Sequence, residues 1–144
     1  MGPGTRRGMD ALRQWWPRRE RAQGAPSDRR ERGRQAETLA LAYLERAGLH
    51  LIERNARAGR GEIDLILRDG NTLVFVEVRA RQEDAPVSAA ESLSARKCAK
   101  VRETAERLIA RQPAWQALYC RFDVVAVTLM TNRTPEIQWL PDAF

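Results

Sequence analysis

The 144-residue chain is long enough to bury one hydrophobic core and too short for two. A hydrophobic fraction of 43% suffices for a globular domain, while a mean hydropathy of −0.55 and the lack of any apolar run near ~18–20 residues exclude a membrane span. The net charge of +6 belongs to the leader: residues 1–34 hold ten Arg against four acids, and residues 35–144 hold fifteen charges of each sign.

Residues 1–32 are rich in Arg, Gly and Pro and show no sustained periodicity. Such a composition cannot offset chain entropy by burial, so a disordered leader is expected ahead of a domain at 33–144. Its Trp15-Trp16-Pro17-Arg18-Arg19 stretch joins stacking rings to cations, a mixture suited to single-stranded nucleic acid or an acidic partner. No apolar h-region is present, so the leader is not a secretory signal and the expected compartment is the cytoplasm.

From Gly33 the pattern becomes helical. Ala36, Leu39, Ala40, Tyr43, Leu44 and Ala47 recur at helical spacing, with Gly48 as the stop. Leu49–Arg57 reads as a weak strand, followed by the Gly59-Arg60-Gly61 turn. Strands over Glu62–Arg68 and Leu73–Ala80 are joined at Asp69-Gly70-Asn71, a strong hairpin signal. After a loop at Gln82–Val87, a second helix starts at Ser88, where Ser-x-x-Glu with Glu91 resembles a capping box, or at Ser94. Val101, Ala105, Leu108 and Ile109 form its buried stripe and Pro113 ends it. Tyr119–Leu129 and a short Ile137–Leu140 complete the order αβββαβ(β), an α/β fold with helices flanking a mixed central sheet.

Cys98 and Cys120 are too few for a disulfide scaffold or a four-thiolate zinc site, and a lone His50 excludes His-rich metal centres. The chemistry concentrates instead in the hairpin. Its strands are apolar at nearly every position, as in central strands covered on both faces, yet they carry Asp64 and Glu77. A Gly70-Asn71 loop sets Asp64 opposite Glu77 and Glu62 opposite Arg79; an Asp69-Gly70 loop sets Glu62 opposite Glu77 with Asp64 diagonal to it. Either register puts Asp64 and Glu77 on one face at the open end, with Cβ atoms ~4.5–8 Å apart. Carboxylates so placed repel unless a cation joins them. Their hard oxygens suit Mg²⁺ or Mn²⁺, which bind substrate phosphate alongside one or two carboxylates. Spacing alone leaves a second reading open, a salt-bridge cluster neutralised by Arg79, Arg60 or Arg81.

These residues resemble the restriction-endonuclease-like superfamily, whose motif is Asp followed by Asp/Glu-x-Lys, and within it the YraN family of small bacterial proteins. The resemblance spans roughly 33–129. It rests on Gly33-x-x-Ala-Glu37-x-x-Ala40, Asn55, Gly61-Glu62-Ile63-Asp64-Leu65-Ile66, Val74-Phe75-Val76-Glu77-Val78-Arg79-x-Arg81, Lys97 and Arg121-Phe122-Asp123. It implies a restriction-endonuclease-like fold, with Asp64 and Glu77 as ligands of Mg²⁺ or Mn²⁺ and the Val78 carbonyl as a third. Glu37 would be the first-helix acid that related junction resolvases point at the metal. Lys97 and Arg121 would contact phosphate, with Arg60 and Arg81 as further nucleic-acid contacts. Asp123 would either orient Arg121 or take part in the chemistry. One departure stands out: Arg79 occupies the place of the motif Lys. Arg stays protonated and holds phosphate charge, but it cannot act as a base.

Three functions fit this pattern. The first is a metal-dependent endonuclease acting on DNA, with branched or processed structures as the expected substrates. The second is a nucleic-acid-binding module of the same fold without turnover, favoured by Arg79 and by a charge-neutral body relieved only by Arg96, Lys97, Lys100 and Arg102. The third is an adaptor binding partners through the Trp/Arg leader.

Overall fold

The computed structural model describes residues 26–83 and 94–144. The Trp15–Arg19 stretch, the Ser88/Glu91 capping box and residues 84–87 of the expected loop lie outside them, while Gln82, expected in that loop, ends a strand. Helix α1 (Pro26–Arg46) leads into strands β1 (His50–Ala58), β2 (Gly61–Asp69) and β3 (Thr72–Gln82). Helix α2 (Ala95–Ala110) and a 3₁₀ turn (Pro113–Ala117) then precede β4 (Tyr119–Leu129) and β5 (Glu136–Leu140). The order is αβββαββ, with the five strands forming one mixed sheet in sequence order. Only β3 and β4 pair in parallel, because α2 crosses over between them. This is the α/β arrangement expected of a nuclease-like chain.

Helix α1 begins at Pro26, ten residues ahead of Ala36, where the apolar repeat starts. Residues 28–31 are exposed, so burial does not drive this extension. Local features do: proline occupies the first helical position, Asp28 lies in the first turn, and Arg32 Nε donates to the Asp28 carbonyl. Further along, Ala36, Ala40, Leu41 and Leu44 pack on one sheet face against Leu65, Leu67, Val74, Val76, Val125 and Val127. Of the two candidate starts for α2, Ser94 is the cap; its hydroxyl accepts from the Lys97 N–H at 3.1 Å. Cys98, Val101, Ala105 and Leu108 then cover Ile66, Phe75 and Val124 on the other face.

The hairpin register resolves to the Gly70-Asn71 loop, with Asp69 paired to Thr72 and Leu65 to Val76. Gly70 has φ 58°, as the first central residue of a type II′ turn requires. The β1–β2 ladder is less regular. Arg54 pairs with Leu65, and its guanidinium reaches Thr38 Oγ1 on α1. The next pair, Ala56 with Ile63, packs on the α2 side instead. Both strands therefore exchange faces between these pairs, and the residues at the exchange are Asn55 and Asp64. Asn55 accomplishes it with φ 51°, a left-handed conformation that asparagine tolerates better than most side chains.

Gly61 fixes how closely α2 approaches β2. A Cβ at this position would collide with Thr104 Oγ1 and sit 3.1 Å from Thr104 Cβ. Thr104 is buried and its hydroxyl donates to the Lys100 carbonyl, so it has little room to yield. Gly61→Ala should therefore destabilise the fold by roughly 1–3 kcal/mol through overpacking. Gly33→Ala, in α1 with nothing within 4 Å of the added carbon, should stabilise it by about 0.5–1 kcal/mol. Urea unfolding of both variants checks the pair; equal midpoints would refute the close-approach account.

Candidate functional site

The β2–β3 ladder ends at the pair Leu65–Val76. Beyond it, Asp64 Oδ2 accepts the Val78 N–H at 2.8 Å, so a side chain replaces the next rung. In a strand, the N–H and C=O of one residue point to the same side, so the Val78 carbonyl is turned toward this same gap. A cleft of about 340 Å³ opens here between the start of β2 and α2; Gly61, Glu62, Asp64, Glu77, Lys97 and Lys100 are among its lining residues.

The structure brings together most of the acids singled out in the sequence. Glu37 projects from α1, and the Asn55 amide, with its NH₂ turned to the two acceptors, donates to Glu37 Oε1 at 2.9 Å and Glu62 Oε1 at 3.0 Å. Burial raises the Glu37 carboxyl above its ordinary value and Glu62 adds to the rise; Arg54 and hydrogen bonds with Asn55 and Asp64 oppose it. Asp64 is driven further. Burial first, then repulsion from Glu77, push its carboxyl from the ordinary 3.8 up to about 8, against the opposing Val78 hydrogen bond. Glu77 is paired differently: Lys97 Nζ sits 2.9 Å from its Oε1, on side chains 36% and 12% exposed.

Lys97 is thus a cation joined to the acidic pair, one that spacing alone did not offer for that part. Arg60 lies exposed in the β1–β2 turn. Arg79 and Arg81 follow Glu77 along β3, both partly buried. Arg121 is not part of this cluster. It pairs with Val74 in the β3–β4 register, three residues or ~10 Å from the level of Glu77. Its Nε and Nη2 clasp the two carboxylate oxygens of Asp123 at 2.9 and 3.1 Å, and its Nη1 reaches Asp69 at 3.4 Å. Asp123 is fully buried and also accepts from Trp139 Nε1 and the Asp142 N–H, both at 2.9 Å. Arg121, expected to contact phosphate, takes part in this internal clasp, in which Asp123 ties β4 to β5 and the segment after it. Arg102 is likewise engaged, over the Phe122 and Phe144 rings.

Sequence reasoning assigned no role to Asn55, Glu62 as a partner of Glu37, or Thr104. It also missed that Lys97 meets Glu77. A signal existed, since Lys97 precedes Val101 by four residues and Thr104 by seven, which extends the buried stripe of α2 by one turn to a charged head.

The donor set fits a hard divalent cation. Asp64 holds a carboxyl that is costly to ionise in its present surroundings, Glu77 stands beside it, and the Val78 carbonyl side faces the gap. Among the described residues no three carboxylate, His or Cys side chains form a ready-made metal-holding group. Two carboxylates and a carbonyl are donors of the kind taken by Mg²⁺ or Mn²⁺, ions that complete their shells with water and phosphate.

The unfolded chain releases the Asp64 proton near pH 3.8, whereas the folded chain keeps it to about pH 8. Stability therefore falls as pH rises through that window and levels off above it. Asp64→Asn keeps an acceptor for Val78 and removes the charge. Its thermal midpoint should exceed that of the parent by about 3 °C or more at pH 8, with the gap closing toward pH 4. Calorimetric melts across that range check this; a lower midpoint for the variant at pH 8 would contradict it.

Residues 36–127 match the family described as "Uncharacterised protein family UPF0102". A UPF0102 protein of Pseudomonas savastanoi pv. phaseolicola is 42% identical over 118 residues, which cover 82% of this chain and 96% of that protein. One from Pseudomonas aeruginosa is 43% identical over 116 residues, covering 80% and 93% of the two chains. One from Xanthomonas oryzae pv. oryzae is 44% identical over 119 residues, covering 83% and 95%. The matched span contains Glu37, Asn55, Asp64, Glu77 and Lys97, so the residues that build the cleft lie within the shared region, and the chain belongs to the UPF0102 family of YraN-like proteins.

Proposed function

We propose that this protein binds nucleic acid and hydrolyses phosphodiesters in DNA with Mg²⁺ or Mn²⁺, branched or processed structures being the expected substrates. The observation that carries this reading is the convergence of Asp64 and Glu77 at the diverged end of β2 and β3, inside a cleft that also presents Lys97 and Lys100. Asp64 and Glu77 would hold the ion, with the Val78 carbonyl as a third donor. A bound divalent cation supplies Lewis-acid polarisation of the phosphoryl group and activation of water. The chain's own residues do the rest. Lys100 lines the cleft and offers charge to a phosphate, and Arg60 is exposed in the turn next to Gly61, which also lines it. Glu37 is held toward Asp64 by Asn55, where its carboxylate can orient a water. No helix among the described residues is long and apolar enough to cross a membrane.

A binding module without turnover is the second reading. Its specific support is Arg79 at the position where the superfamily motif has lysine.

Titration calorimetry with Mn²⁺ and a cleavage assay on branched and single-strand-containing DNA separate the two. Metal binding is expected, with DNA cleavage reduced at least ~100-fold by Asp64→Asn or Glu77→Gln. DNA affinity should fall steeply with salt, because phosphate contacts dominate it. A protein that binds no Mn²⁺ or Mg²⁺, with or without DNA, would leave the binding module standing.

A further inference from the structure

Of the two lysines that line the cleft, Lys97 is the one paired with an acid of the site. Lys97 leaves the first turn of α2, where Ser94 caps its backbone N–H, and its Nζ lies 2.9 Å from Glu77 Oε1. The side chain is 36% exposed, so its head is at the cleft surface and its stem is free to swing. The helix that carries it is seated firmly. Gly61 and Thr104 allow α2 to approach the start of β2 without an intervening Cβ, and Val101 continues the contact into the core. Lys97 is thus delivered to the acidic pair by packing in the helix, independently of the strand position that holds Arg79.

We propose that Lys97 is the cation that serves this site in place of the strand lysine of the motif: it neutralises Glu77 in the free protein and is handed to the scissile phosphate once Glu77 is claimed by a divalent cation. The inference rests on the nuclease reading above and gives it a residue that Arg79 left wanting. Its physical basis is a competition. An ammonium at hydrogen-bond distance and a divalent ion both stabilise the same carboxylate, and each weakens the hold of the other. The ammonium released from Glu77 remains within reach of the cleft that Asp64 and Lys100 also line, where a bridging phosphate brings negative charge. A compact ammonium on a flexible stem suits such a transfer better than a planar guanidinium fixed by bidentate pairing.

The full-length protein and its Lys97→Ala, Lys97→Gln and Lys97→Arg variants are titrated with Mn²⁺ without DNA, melted, and assayed for DNA cleavage. Removal of the internal competitor should tighten Mn²⁺ binding about fivefold in Lys97→Ala and Lys97→Gln while cleavage falls at least ~100-fold. Lys97→Arg keeps the charge, so Mn²⁺ affinity should return to that of the parent, with cleavage only partly restored. A purely structural lysine would lower the melting temperature and would not tighten metal binding. Mn²⁺ affinity unchanged or weakened in both neutral variants, or cleavage within threefold of the parent, overturns the assignment while leaving the nuclease reading intact. A parent protein that binds no Mn²⁺ overturns both. If Lys97→Ala does not fold, the near-isosteric Lys97→Gln decides.

Discussion

The carboxylate of Asp64 stands where a strand neighbour would otherwise stand, accepting the Val78 N–H that the β2–β3 ladder leaves open. One hydrogen bond of this kind satisfies a backbone donor and parts two strands that are paired through the rest of the hairpin. The parted strands leave a gap, and the gap is the floor of the cleft. Were the ladder to continue through Ile63, Asp64 would have no backbone donor to hold and the acidic pair would lie flat on a closed sheet. The cost falls on Asp64 itself, which is buried beside Glu77 and resists ionisation. The cost is local and is offset by the core on both sheet faces.

Asn55 supports that arrangement from the next strand. Its left-handed backbone turns β1 over just where β2 turns over, so that Arg54 and Leu65 face α1 while Ala56 and Ile63 face α2. Its amide then spans the carboxylates of Glu37 and Glu62. Without donors between them, four acids drawn from α1, β2 and β3 would repel one another. Asn55 on one side and Lys97 on the other divide the group into two tethered pairs, Glu37 with Glu62 and Glu77 with the ammonium. Asp64 is left in the middle, held by a backbone N–H.

Asp123 and Asp64 show opposite solutions to one problem. Asp123 is fully enclosed, and a guanidinium, an indole N–H and a backbone N–H occupy its oxygens. It is a complete structural joint with no capacity to spare. Asp64 has one backbone partner and a carboxylate neighbour of the same sign. The contrast explains why Arg121 and Asp123, which look in the sequence as promising as Glu77 and Lys97, belong to the framework and not to the cleft.

Much of this was legible without a structure because it follows from periods and turns. The apolar repeat of 36–47, the near-continuous apolar strands around Asp69-Gly70-Asn71, and the stripe from Val101 to Ile109 each obey a local rule. They fix the order αβββαββ and put Asp64 and Glu77 together at the open end of one hairpin. The sequence also offered two registers for that hairpin and two starts for α2, and local energies do not separate them. The folded chain does: Asp69 pairs with Thr72 around Gly70-Asn71, and Ser94 begins a helix whose Thr104 meets Gly61. The partners of the charged side chains were decided in the same way. Lys97 and Arg121 carry the same sign and looked alike in the chain. Lys97 meets Glu77 because α2 lies across β1 and β2 with Lys97 in its first turn, and Arg121 meets Asp123 because both lie on β4 with Trp139 of β5 beside them. Periodicity along a chain determines which face a residue occupies, whereas an ion pair depends on where two faces from distant segments come to rest.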